Sequence, residues 1–121
     1  MAKAEVAIWH PTLSAAEIER KAGGPARIAL SVGVPRRPGT GIYGETYCRF
    51  DLGKMSRTKG PGDLVAFERF RSLVSAEEFN VPAASWVAYF EAEANEAEIY
   101  LGKDALNYLS QMGFGVVFRG S

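Results

Sequence analysis

One cysteine and one histidine are all that 121 residues carry of the two most versatile reactive side chains. Cys48 alone has no partner for an intrachain disulfide. With His10 alone beside it, the residue set of a structural zinc site is missing. No apolar run approaches the ~20 residues that cross a bilayer as a helix. The opening MAKAEVAIWHP has no continuous apolar core and meets Pro11 early, unlike a secretory leader. A cytoplasmic protein is the expectation. Net charge is lacking too: Lys and Arg number 14 and Asp and Glu number 14. That balance argues against nucleic-acid binding driven by total charge.

What is present suits one globular domain. The chain is 47% hydrophobic and 23% charged, an ordinary soluble composition, and long enough to bury a core without staples. Charge is divided along it. Residues 1–62 hold 10 basic and 5 acidic residues, a net +5, and residues 63–121 hold 4 and 9, a net −5. If the fold keeps the halves apart, it presents one basic and one acidic face.

Ala4 to Trp9 alternates and reads as a strand with Ala4, Val6 and Ile8 on one side. Ser14 and Glu17 then form a capping box, with Leu13 and Ile18 at the staple positions. A helix is expected from about Ala15 to Ala22, stopped by Gly23-Gly24-Pro25. Arg27 to Val34 is a strand or an extended lead into a loop. Tyr43 to Leu52 reads as a strand, with Thr46, Cys48, Phe50 and Leu52 facing one way and Tyr47, Arg49 and Asp51 the other. Residues 53–62 (GKMSRTKGPG) have loop composition. Asp63 can cap a helix through Val74 whose apolar side is Leu64, Phe67, Phe70, Leu73 and Val74. Ser75-Ala76-Glu77-Glu78 repeats the capping pattern and predicts a short further turn.

The C-terminal third carries the organising pattern. Ser85–Ala92 and Glu96–Leu101 are close to alternating, which predicts two strands joined by a hairpin. A helix pattern also fits Ala83–Ala97: Pro82 suits a first helical position and EAEANEAE is rich in helix formers. Periodicity alone leaves that choice open. Leu106, Leu109 and Met112 predict a helix over about Lys103–Met112, with Gly113 as its stop. Phe114, Val116 and Phe118 predict a last strand.

Three stretches, AIWHPTLSAAEIERKAG, GIYGETYCRFDL and AEIYLGKDALNYLSQMGFGVVF, together resemble a bacterial family known as domain of unknown function 4279. The resemblance implies an α+β fold with a strand pair before the last helix. It implies no activity. The acidic Glu93-Ala94-Asn95 turn departs from that family's glycine-richer hairpin. In size and layout such proteins are similar to the small immunity proteins of bacterial toxin systems, an analogy between folds.

Candidate sites divide into reactive and adhesive ones. Gly39–Gly44 matches G-x-G-x-x-G, whose glycines let backbone amides approach a phosphate. Yet a dinucleotide loop opens a helix, whereas YGETYCRFDL reads as a strand, so a turn-rich loop is the expectation. His10 stands at a strand end where a general base can sit, but no spacing supplies its nucleophile or orienting acid; a hydrogen-bonded turn histidine is expected. Cys48 falls on the inward face as a small hydrophobe. Arg36, Arg37, Lys54, Arg57 and Lys59 lie in two loops near Tyr43 and Tyr47, open to an acidic partner or, weakly, to nucleic acid. Glu91, Glu93, Glu96 and Glu98 gather at the expected hairpin, either a partner-binding patch or a solvated edge.

The sequence therefore predicts a single α+β domain: a mainly antiparallel four- or five-stranded sheet with two or three helices packed on one side. Its expected core is Val6, Ile8, Ile18, Phe50, Phe67, Phe70, Trp86, Phe90, Ile99, Leu101, Leu106, Leu109, Phe114, Val116 and Phe118. The expected function is a non-catalytic protein-binding module, immunity-like, needing no cofactor. A small enzyme or nucleotide binder using Gly39–Gly44 and His10 is the alternative.

Overall fold

A computed structural model describes residues 3–33, 41, 44–54, 67, 70–74, 76–82, 84–91 and 103–119. Along the chain run β1 (Lys3–His10), α1 (Ala15–Ala22), β2 (Ile28–Leu30) and β3 (Thr46–Lys54). Helical residues 67 and 70–74 (α2) follow. A 3₁₀ turn (Glu77–Phe79), β4 (Ser85–Glu91), α3 (Lys103–Gln111) and β5 (Gly115–Arg119) complete the described elements. The strands form one sheet in the order β2-β3-β1-β4-β5. Every pairing is antiparallel except β4 with β5. The fold is a single α+β domain.

β1 is central, so its two faces are both enclosed: Ala4 through Ile8 are all buried. A strand in that position needs small or apolar residues on both sides, and AEVAI supplies them with one exception, Glu5. α1 begins and ends where its sequence dictates. Ser14 Oγ accepts from Glu17 N, satisfying one of the unpaired amides of the first turn. At the other end Gly23 adopts φ +83°, and the amides of Gly23 and Gly24 both donate to Glu19 O. The second capping pattern fares differently. The 3₁₀ turn has Ala76 at its N-cap with no side-chain cap.

β3 runs to Lys54, two residues beyond the expected strand end. The pairing with β1 slips between Ala4/Gly53 and Glu5/Asp51, a bulge in which Gly53 takes φ +80° and Asp51 Oδ1 accepts from Gly53 N. A glycine bulge extends the strand into what its composition suggests is loop. The helix–strand choice over Ala83–Ala97 falls to strand for Ser85–Glu91. β4 has β1 along one edge and β5 along the other. The edge a hairpin partner would take is thus occupied by β5, in parallel, after the crossover containing α3. Glu96–Leu101 lies outside the described residues.

All described helices pack on one face. Ile18 of α1, Phe67, Phe70 and Leu73 of α2, and Leu109 of α3 join Val6, Ile8, Cys48, Phe50, Ala88 and Phe90 in one core. Edge-to-face ring pairs stitch it, with Phe50 5.1 Å from Phe70 and Phe67 6.0 Å from Phe114. Trp86 and Val116 are partly buried against it, and Trp86 Nε1 donates to Met112 O at 2.9 Å, fixing the end of α3. Two expected core residues are exposed: Leu106 at 45% and Phe118 at 54%. Phe118 is near the end of an edge strand, where among the described residues Phe90 is the ring that stacks on it. α3 meets the core at its C-terminal end through Leu109 and Met112, so Leu106 one turn earlier is left outside. Ile99 and Leu101 lie outside the described residues.

Candidate functional site

Strand alternation gives the sheet a second face to which no described helix is packed. Its residues follow from the register. Tyr47, Trp9 and Ser85 form one row, and Arg49, Ala7, Val87 and Gly115 the next. Asp51, Glu5, Tyr89 and Val117 form the third, and Lys3, Glu91 and Arg119 the last. None of these side chains belongs to the core on the other side. Their composition is unusual for a solvated sheet face, with three aromatics and three cations around one buried carboxylate.

That carboxylate is Glu5, only 5% exposed. Its Oε2 accepts from Arg27 Nη2 at 2.9 Å and from Arg49 Nε, and Lys3 Nζ stands 3.5 Å from its Oε1. Burial by itself raises the Glu5 pKa, but the hydrogen bonds and charges of Arg27 and Arg49 outweigh it and hold the carboxyl below its ordinary value. Burial likewise pulls Arg49 down, and the Tyr47 hydroxyl and Glu5 reverse this, so its guanidinium is held more firmly charged. Glu5 is a fixed anion whose work is to hold two arginines in place.

Arg49 is in turn the hub of the aromatics. Its guanidinium lies 4.3 Å from the centroid of Tyr89 and its Nη1 is 3.5 Å from the Tyr47 hydroxyl. Arg119 approaches the same Tyr89 ring at 5.0 Å, while Trp9 and Tyr47 pack at 5.1 Å. Planar groups held this way have few rotamers left to lose on binding. They offer large contact area at low entropic cost.

The reactive candidates from the sequence are engaged elsewhere. His10 is 1% exposed. Its Nδ1 accepts from the amides of Thr12 (3.1 Å) and Leu13 (2.9 Å), which places the ring proton on Nε2, 2.6 Å from Glu78 O. Both nitrogens are occupied, so the ring is the hydrogen-bonded turn histidine the sequence suggests. Cys48 is fully buried, and its thiol is pushed up to about 12 by burial and then by the charge of Glu19. A thiol in that state is not a nucleophile. We expect it to resist a disulfide-exchange reagent such as DTNB in the folded protein and to react once unfolded in guanidinium; fast labelling of the native state would contradict its placement.

Of the Gly39–Gly44 stretch only Gly41 and Gly44 are described; β3 opens at Thr46, so a strand and not a helix follows the motif. Among the adhesive candidates, Glu91 ends β4 on the helix-free face and is exposed. Glu93, Glu96 and Glu98 lie outside the described residues, as do Arg36, Arg37, Arg57 and Lys59. Lys54 is the last residue of β3, paired with Lys3, and not a loop residue. Trp9, Arg49, Tyr89 and Arg119, which make the face, are not singled out by the sequence. The signal was the polar half of each alternating strand, but uniting the halves requires the cross-strand register.

A concavity of about 520 Å³ opens between α2 and α3 and is lined by Arg71, Val74, Tyr108, Gln111 and Met112. Among the described residues no three His, Cys, Asp or Glu side chains converge as metal ligands. No described helix is long and apolar enough to cross a membrane. No family model, curated protein or solved structure matches the chain.

Proposed function

We propose that this protein is a non-catalytic protein-binding module that meets its partner with the helix-free face of its sheet. The observation that carries the reading is the Trp9–Tyr47–Arg49–Tyr89 array, braced from beneath by buried Glu5. Trp, Tyr and Arg are the residues that dominate interface energetics. The exposed ring around them carries both signs, with Arg27 and Arg119 against Asp51 and Glu91, as an interface rim does. Engagement of His10 and burial of Cys48 remove the two groups most suited to covalent or acid–base chemistry. The finer form of the proposal is a cytoplasmic, immunity-like protein masking a bacterial toxin, which the charge division along the chain and the motif resemblance suggest.

The test is affinity capture from cells expressing the chain, run in parallel with Trp9→Ala. We expect Trp9→Ala to weaken the captured complex at least ~30-fold, equivalent to the ~2 kcal/mol of a central anchor, while circular dichroism shows the variant still folded. Equal capture by both proteins, or none at any salt concentration, would defeat the proposal.

Interleaved arginines and aromatics also suit a single nucleic-acid strand, which favours a second reading. Asp51 and Glu91 on the same face oppose a phosphate backbone. Tight binding of oligo(dT) that falls steeply with salt would reverse the order of the two readings.

A further inference from the structure

The β4–β5 half of the helix-free face has a property the other half lacks: it is complementary to itself. Across the parallel pair, Val87 stands beside Gly115, Tyr89 beside Val117 and Glu91 beside Arg119. Each β4 residue of a pair is larger than, or opposite in charge to, its β5 neighbour. The Gly115 gap lies directly against Val87, whose Cγ2 would be 3.5 Å from a Cβ placed there. Glu91 and Arg119 are both exposed and carry the only carboxylate and guanidinium of this half. Among the described residues they form no ion pair with each other or with another side chain, Arg119 touching only the Tyr89 ring. Two opposite charges thus stand on adjacent strands with no ion pair among the described residues, Arg119 resting over Tyr89.

We propose that this half-face is the contact for a second copy of the same chain, packed sheet to sheet about a two-fold axis running between β4 and β5. Such an axis, parallel to the strands, places every residue of one strand over the register partner of the other in the second copy. Val87 fills the space above Gly115, Tyr89 covers Val117, and Glu91 meets Arg119, each contact occurring twice, as an isologous interface requires. Sheets pack about 10 Å apart, a gap that an arginine and a glutamate span together. The chain's zero net charge leaves no long-range repulsion between copies. Two strands give a small contact, so the dimer is weak, with dissociation in the micromolar range. Trp9, Tyr47 and Arg27 on the other half stay free, whereas Tyr89, Glu91 and Arg119 are shared with the partner-binding face, so the two contacts compete there.

Sedimentation velocity of the full chain from 1 to 500 μM decides it. The wild type is expected to move from monomer to dimer across that range. Arg119→Glu and Glu91→Arg should each raise the dissociation constant at least ~30-fold, since every reversal creates two like-charge contacts. The double exchange should restore it to within about threefold. Val117→Arg, which removes the apolar contact and leaves both charges, should also abolish the dimer. Circular dichroism confirms that each variant is folded. A monomer at every concentration overturns the proposal, as does a dimer indifferent to the single reversals or one the double exchange does not restore. Trp9 lies outside the dimer contact, so loss of capture in Trp9→Ala with the dimer intact separates failure of the partner-binding reading from failure of this one.

Discussion

Glu5→Gln should lower the stability at neutral pH by about 2 kcal/mol and remove the share of the fold's acid sensitivity that Glu5 carries. Glu5 is a buried anion at the centre of the sheet, and its Oε2 receives both Arg27 and Arg49. Breaking a fully buried pair typically costs about 3–5 kcal/mol, because the remaining charge is left uncompensated. Two features reduce the figure here. The Arg27 side chain is 45% exposed and retains water, and an amide oxygen still accepts a hydrogen bond, though a weaker one. The pH dependence gives the assignment a signature. The Glu5 carboxyl titrates below 4.5 in the folded chain, its ordinary value. The unfolded chain therefore takes up the proton first as pH falls. The contribution is complete above about pH 4.5 and disappears as pH drops through the lowered folded value. Urea unfolding of wild type and Glu5→Gln from pH 7 to 3 should give two stability curves that converge in acid. Parallel curves would show that Glu5 is not the anion holding the arginines. Combining Glu5→Leu with Arg49→Met should cost less than the sum of the two singles, since neither charge is then stranded.

The same cluster shows what the sequence reveals and what it withholds. Local signals were readable because they act within a few residues. Ser14, Glu17 and Gly23 fix both ends of α1 through hydrogen bonds inside the helix. Thr46, Cys48 and Phe50 face the core because they alternate with Tyr47 and Arg49, a property of any extended chain. Gly113, at φ +74°, stops α3 as its position predicts. Long-range relations were not readable. Glu5 looks like the polar residue of an alternating strand until β3 and β4 are known to flank it, and only then does its burial follow. Arg27, Arg49, Tyr89 and Arg119 come from four separate segments, and no spacing along the chain links them. The exchange of a hairpin neighbour for β5 beside β4 has the same origin: alternation says which side a residue faces, not which strand lies next to it. Leu106 repeats at helical spacing with Leu109, yet where α3 touches the sheet decides that only one of them is buried.

The binding proposal gains from how the chain spends its buried polar groups. A sheet covered on one side leaves the other to be solvated or bound, and here that side is stiffened by a buried ion cluster and not left as loose charged side chains. Arg49 loses much of its freedom to Glu5, Tyr47 and Tyr89 before any ligand arrives. A surface restrained in advance forfeits less entropy on association. Lys21 and Glu78, 3.0 Å apart, lie elsewhere, tying α1 to the 3₁₀ turn. Lys21 draws the Glu78 carboxyl below its ordinary value. Both side chains reach solvent, and pairs of that kind contribute little.

Thr46→Val should prove among the most damaging conservative changes in the molecule, costing about 2–4 kcal/mol although it alters the side-chain volume little. Thr46 is fully buried at the start of β3, opposite His10 of β1. Its hydroxyl accepts from Val32 N at 2.8 Å and donates to Leu13 O at 2.6 Å. One oxygen thereby joins the loop before α1, the chain leaving β2 and the central sheet. Beside it, His10 holds the amides of Thr12 and Leu13 and reaches Glu78 O, and Ser31 Oγ accepts from Ala15 N. Valine fills the same space but leaves the amide of Val32 and the carbonyl of Leu13, both partly buried, without this partner, at about 1–2 kcal/mol for each. Serine keeps the hydroxyl and loses only a methyl group, so Thr46→Ser should cost about 1 kcal/mol. The ranking matters more than either number, because a packing role predicts the reverse order. His10→Asn gives a parallel comparison. Its side-chain oxygen can still receive the Thr12 and Leu13 amides, while the bond to Glu78 and the edge contact with Phe79, 4.9 Å away, are lost. It should therefore fall between wild type and His10→Ala in chemical denaturation. Thr46→Val as stable as Thr46→Ser would mean that these polar groups are paired by other means, and that the corner is held by packing alone.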